Sequence, residues 1–153
     1  MRRARAALLA MLLALLCGAA PAADDPLLGF WRSPPEPGGE SSMIELFIEG
    51  GQLHGRIARS YDASGREVEP VCEKCPGALA GKPARGMRFI QNLHRDGDHW
   101  SGGRVVDLRP GATQGVTANC EIRFDHGKAV VLGYVGARFL GSTSTWQRAT
   151  PPH

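Results

Sequence analysis

Beyond Ala22 the apolar positions recur at every second residue rather than about every 3.6, the period of half-buried strands rather than helices. In Met43 to Glu49, Ile44, Leu46 and Ile48 alternate with Met43, Glu45, Phe47 and Glu49, and Gly50-Gly51 then supplies the positive-φ pair of a two-residue hairpin turn. Folding the chain there sets Ile48 opposite Leu53, Ile44 opposite Ile57 and Glu45 opposite Arg56. Apolar meets apolar and acid meets base, as a hairpin register requires. The same reasoning at Asp96-Gly97 places Leu93 opposite Trp100, His94 opposite His99 and Arg95 opposite Asp98, with Trp100 to Leu108 continuing as a strand. Met87 to Leu93 also fits a helical turn, its apolar spacing being ambiguous.

Further alternating runs follow at Val116 to Phe124, Lys128 to Val135 and Ser142 to Arg148, separated by Pro110-Gly111, by Asp125-His126-Gly127, and by Gly136 and Gly141. About eight strands with short connections predict an all-β barrel or sandwich in one domain over residues 23–153. Glycines inside the runs, at Gly55, Gly102, Gly103 and Gly133, favour the barrel, since a closing sheet needs bends or bulges where a flat one would only be weakened. The chain ends point the same way. Gly29-Phe30-Trp31 near the start and Trp146-Gln147-Arg148 near the finish can meet if first and last strands pair, with Arg148 stacking on Trp31 as a cation on an aromatic face.

The segment before these runs is of another kind. Arg2, Arg3 and Arg5 precede an apolar run from Leu8 to Leu16 and a small-residue site at Ala20-Pro21-Ala22, the pattern of a secretory signal peptide cleaved after Ala22. The run is shorter than the roughly 20 residues of a membrane-spanning helix. Leu16 stands before Cys17 where lipid attachment favours a small residue, so lipidation is not expected. Cleavage alters the charge: three of the 18 Lys and Arg residues leave with the leader and none of the 15 Asp and Glu, so the mature chain carries 15 of each sign. With no basic run, no nucleic-acid partner is expected.

Export to the periplasm or beyond implies an oxidising compartment, and the mature chain keeps Cys72, Cys75 and Cys120. One thiol must stay free or pair elsewhere. Bridging Cys72 to Cys75 closes a short loop worth only about 2 kcal/mol of chain entropy, against roughly 4 for joining either to Cys120, so stability favours the long bridge where geometry permits. Cys72-Glu73-Lys74-Cys75 also has the spacing of a thiol redox pair, but Pro76-Gly77 argues against the helix N-terminus that activates one, so a structural disulfide or loop clasp is the expected role of the two cysteines. A zinc site would need a histidine beside the three cysteines, and His54, His94, His99, His126 and His153 are scattered without supporting spacing. No metal, cofactor or catalytic residue is expected.

Taken together, Cys72 to Gly77, then Trp100-Ser101-Gly102-Gly103-Arg104-Val105-Val106-Asp107, Gly133-Tyr134-Val135-Gly136, Leu140-Gly141 and Trp146-Gln147-Arg148 resemble the bacterial secreted family called domain of unknown function 2147. That family is similar to the lipocalins, and Gly29-x-Trp31 with the late Arg148 matches the lipocalin end-closing pattern. The resemblance implies an eight-stranded antiparallel up-and-down barrel and supplies no reaction. In the family an Asp-Pro commonly follows the Trp-x-Gly-Gly strand and an aromatic opens the next; here Leu108 follows Asp107 and Val116 stands near the aromatic's place.

Three functions fit these features. The first is a non-enzymatic extracytoplasmic binding protein of the bacterial envelope, holding a small apolar or amphipathic ligand among Ile44, Leu46, Ile48, Leu53, Ile57, Leu93 and Trp100. The second is an envelope protein-interaction module using the Cys72–Cys75 loop. The third is a thiol redox protein working through the same two cysteines.

Overall fold

A computed structural model describes residues 25–153. The expected leader, Met1 to Ala22, lies outside the described residues. Eleven strands follow in order: β1 (Gly29–Arg32), β2 (Ser41–Glu49), β3 (Gln52–Tyr61), β4 (Glu67–Val68), β5 (Val71–Cys72), β6 (Lys82–Pro83), β7 (Arg88–Asp96), β8 (His99–Val106), β9 (Thr117–Asp125), β10 (Lys128–Tyr134) and β11 (Ser142–Arg148). Each of β1, β2, β3, β7, β8, β9, β10 and β11 pairs antiparallel with the next, and β11 returns to β1. The result is a closed eight-stranded up-and-down barrel. β4 extends β3 at one end, and β5 and β6 form a separate two-stranded ribbon.

Alternation sets the first hairpin's register: Ile44 faces Ile57, Glu45 faces Arg56 and Ile48 faces Leu53, with the turn at Gly50-Gly51. The second hairpin corrects the sequence expectation by one position. Its turn is Gly97-Asp98, so His94 pairs with Ser101, Arg95 with Trp100 and Asp96 with His99. Gly97 has φ of +59° and occupies the first turn position, where a primed turn of this kind needs a residue free to adopt positive φ. His94 and His99 therefore do not face one another. The helical alternative for Met87 to Leu93 is also set aside, since Arg88 to Asp96 is strand.

Register shifts interrupt the barrel at Met43–Ile44 in β2 and at two places that carry glycines. β8 bulges between Trp100 and Gly103, where Gly102 takes φ of +73°. The pairing of β3 with β7 shifts on both sides of Gly55, which pairs with Ile90, and in the irregular stretch beside it Asn92 takes φ of +60°, a conformation asparagine tolerates better than most residues. The amide of Asn92 donates to Nδ1 of the buried His54, which fixes that histidine as a structural group.

The two ends of the barrel differ. Tight turns at Gly50-Gly51, Gly97-Asp98 and His126-Gly127 close one end, and residues 25–28 fold across it. Asp25 accepts from Nε1 of Trp100 (2.9 Å) and from the amide of Leu27, and pairs with Arg95. Trp31 is completely buried, donates Nε1 to the Leu27 carbonyl (2.8 Å), and lies 3.9 Å beneath the Arg148 guanidinium. Arg148, opposite Trp31 in the β1–β11 pairing, also donates to the carbonyls of Leu28 and Pro26. First strand, last strand and N-terminal segment are thus joined at one point. Above it Leu46, Leu53, Ile90, Leu93, Trp100, Ile122 and Ala129 fill the lower barrel.

Candidate functional site

At the opposite end the connections are long: residues 33–40, 62–87, 107–116 and 135–141. Beneath them the barrel is not filled. A cavity of about 300 Å³ opens there, at the small end of the range for ligand sites. Its apolar walls come from Ile44, Ile57, Phe89, Val105, Val131 and Trp146, inward positions of six different strands. Strand alternation brings the hydroxyls of Ser42, Ser142 and Ser144 to the same interior, and Ser144 Oγ accepts from Nε1 of Trp146 (3.0 Å). A smaller side pocket of about 120 Å³ lies between β2, β3 and the 62–87 connection, sharing Ser42, Ile57, Leu108 and Arg109 with the main cavity.

Glu36, Asp107 and Arg109 carry the charge at the mouth. Arg109 grips Asp107 with two side-chain bonds of 2.8 Å, and its backbone amide donates to the same carboxylate at 3.0 Å. Such a forked pairing is geometrically fixed as well as charge-assisted. Burial opposes the charge on Asp107, but bonds from Arg109 and Thr113 outweigh it and hold its pKa below the usual value. Arg109 is correspondingly held protonated, chiefly by Asp107. Glu36, from the loop after β1, reaches Arg109 at a looser 3.5 Å.

The loop carrying Asp107 and Arg109 is clasped from outside the barrel wall. Cys72 and Cys75 form a disulfide, the structural clasp that their turn suggested, and the long bridge to Cys120 that loop entropy favours is not made. The reason lies in where the strands point. Cys120 stands on β9 between Gly103 and Gly133, inside the main barrel core, whereas Cys72 and Cys75 pack in a separate cluster with Met87 and Val106. Gln114 accepts from the amide of Lys74 and Lys74 Nζ donates to the Gly111 carbonyl, so the disulfide turn holds the 107–116 loop. Gly115 makes this possible: a Cβ there would lie 1.8 Å from the Lys74 carbonyl oxygen. Both sulfurs are buried, which leaves the pair without the accessible face that a thiol redox reaction needs.

Cys120 remains a free, buried thiol. Burial, with a lesser contribution from the charge of Glu121, pushes its pKa up to about 12. Thiolate is the reactive form, so Cys120 is expected to resist alkylation by iodoacetamide at pH 8 in the native protein and to label fully in denaturant. Mass spectrometry of the labelled chain checks this, and rapid native labelling would show that the β9 wall opens.

The histidines do not gather. His94 lies beside Gln52, His99 beside Asp96 and Asp98, His126 beside Asp125, and His153 is exposed at the chain end. Among the described residues no cluster of three or more His, Cys, Asp or Glu side chains is placed to hold a metal ion. The zinc alternative loses two of its thiols to the disulfide.

Of the seven residues expected to line a ligand, Ile44 and Ile57 face the cavity. Leu46, Leu53, Leu93 and Trp100 belong to the packed lower core, and Ile48 packs against it. Phe89, Val105, Val131, Ser144 and the charged trio were not singled out by sequence. Alternation could have placed the wall residues, because Val105 and Val131 keep step with buried neighbours. Glu36 and Arg109 lie in loops, where no period exists to point them inward.

A family model described as an uncharacterized protein conserved in bacteria, DUF2147, matches residues 29–148, from the start of β1 to the end of β11. The chain belongs to the DUF2147 family. Protein HP1028 from the human pathogen Helicobacter pylori, described as belonging to the lipocalin family, is similar in structure, with a TM-score of 0.67 at 20% sequence identity over 81% of this chain and 83% of that one. At that identity the likeness establishes the fold, and this DUF2147 barrel is lipocalin-like. No curated protein matches the chain. The matched segment includes the whole DUF2147 barrel, its disulfide turn and all three charged residues at the mouth.

Proposed function

We propose that this protein is a non-enzymatic, extracytoplasmic binding protein of the bacterial envelope that carries a small amphipathic molecule in the upper barrel. The observation that carries this reading is the 300 Å³ cavity itself, walled by apolar side chains below and ringed by hydroxyls and charges at its mouth. An apolar tail would occupy the wall region and a polar end would meet the mouth. The leader at Met1 to Ala22 supports export, and a disulfide suits an oxidising compartment.

Filling the cavity tests this. Ala118 lines it from β9. Ala118→Phe is expected to reduce binding of an environment-sensitive apolar fluorophore at least tenfold while thermal unfolding shifts only slightly, as the added ring enters open space. Unchanged fluorophore binding would place the binding site elsewhere and remove the cavity from the account.

A second reading, a protein-interaction module, is favoured by one observation. Phe139 and Leu140, in the 135–141 loop, are 86% and 71% exposed, unusual for large apolar side chains. Cross-linking in intact cells that trapped the wild-type protein with a partner, but not Phe139→Ser, would support that module. A clean monomer would count against it.

A further inference from the structure

We propose that the cavity selects amphiphiles with a cationic amine head over those with an anionic head, and that Glu36 receives the ammonium group. This rests on the carrier reading above and names the ligand class for the same cavity.

Charge accounting at the mouth leads there. The cavity lining includes two carboxylates, Glu36 and Asp107, and one guanidinium, Arg109, leaving one negative charge in excess. The three are not equally available. Both oxygens of Asp107 are engaged by Arg109, and its side chain is only 15% exposed. Arg109 uses Nε and Nη2 on Asp107 and its Nη1 faces Glu36 at 3.5 Å, so an anionic head at Nη1 would meet the Glu36 carboxylate, and turning the whole guanidinium toward it would strand the largely buried Asp107 carboxylate without its partner. Glu36 is different. Its one ion-pair contact among the described residues is the 3.5 Å approach to Arg109, so it keeps acceptor capacity facing the opening.

Nearby cations do not reverse this balance. Arg32 bonds to Ser41 Oγ and stacks 3.7 Å over the Tyr61 ring, and Lys74 is tied to the Gly111 carbonyl; neither lines the cavity. Glu40, on the neighbouring side pocket, adds a further negative charge. The remaining polar lining consists of serine and threonine hydroxyls, which can accept from an ammonium group without adding charge. In a partly enclosed, apolar-walled site the uncompensated carboxylate acts with less screening than on an open surface.

The test compares three ligands with one tail. Octylamine, octanol and octanoate are titrated against the mature protein at pH 7 by displacement of the cavity fluorophore. Octylamine is expected to bind at least tenfold more tightly than octanoate, with octanol between them. Glu36→Gln is expected to erase most of that preference while leaving the affinity for octanol unchanged, an outcome that a merely structural role for Glu36 would not produce. Octanoate binding as tightly as octylamine, or a preference that survives Glu36→Gln, would overturn the proposal and leave the carrier reading standing. If none of the three displaced the fluorophore, the proposal and the carrier reading would fall together.

Discussion

Trp31→Ala is expected to lower the stability of the barrel by about 3–5 kcal/mol, the usual cost of deleting a large aromatic from a closed core. For a domain of this size that corresponds to a fall in Tm on the order of 10–20 °C. Three losses combine at this position. The fully buried ring leaves a void between β1, β2 and β11, the Leu27 carbonyl loses its donor, and the Arg148 guanidinium loses the aromatic face 3.9 Å below it. Arg148→Ala should cost less, because Trp31 remains packed while the bonds to the Leu28 and Pro26 carbonyls and a cation–π contact worth about 0.5–2 kcal/mol are lost. Thermal and urea unfolding of the two single variants and the double variant would measure their coupling. A double variant whose loss equals the simple sum would show that the chain ends are not joined through this pair.

Gly103→Ala is expected to destabilise by about 3 kcal/mol, at the upper end of the cost of overpacking, through the addition of a single methyl group. The new Cβ would lie 2.4 Å from the Gln91 carbonyl oxygen and 2.8 Å from the Leu93 amide nitrogen, both backbone atoms of β7 that cannot rotate away. The neighbouring strand would have to shift, opening the barrel beside its core. Gly133→Ala provides the contrast: its nearest contact would be an ordinary 3.6 Å to Val105, so a loss within about 1 kcal/mol is expected. If the two alanine variants unfolded at the same temperature, close approach of β7 and β8 would not be the reason for glycine at position 103.

The same pair of glycines shows how far the fold was legible. Gly102 and Gly103 inside a strand run pointed to a bend, and the bulge is there, with Gly102 supplying positive φ and Gly103 supplying room. The first hairpin could be read from Ile44 to Ile57 because its turn glycines and its charge pair agree on one register, whereas the shift beyond it, where Met43 pairs with Arg59, carries no such signal. The second slipped by one residue because Asp-Gly and Gly-Asp are both acceptable turn pairs, and only the φ of Gly97 decides between them. Disulfide pairing was not legible from loop entropy, since the side on which Cys120 projects is a property of the closed sheet. The site was legible only in its walls. Which inward residues border space and which fill the lower barrel depends on where residues 25–28 cover one end and the long loops leave the other open.

The measurement that bears most directly on the carrier account is a native mass spectrum of the mature protein, released without detergent from the envelope of the cells that make it. The account predicts a species heavier than the polypeptide by the mass of a small amphiphile, an excess lost on denaturation and absent from Ala118→Phe. The bare polypeptide mass in the wild-type protein, unchanged in the variant, would contradict it.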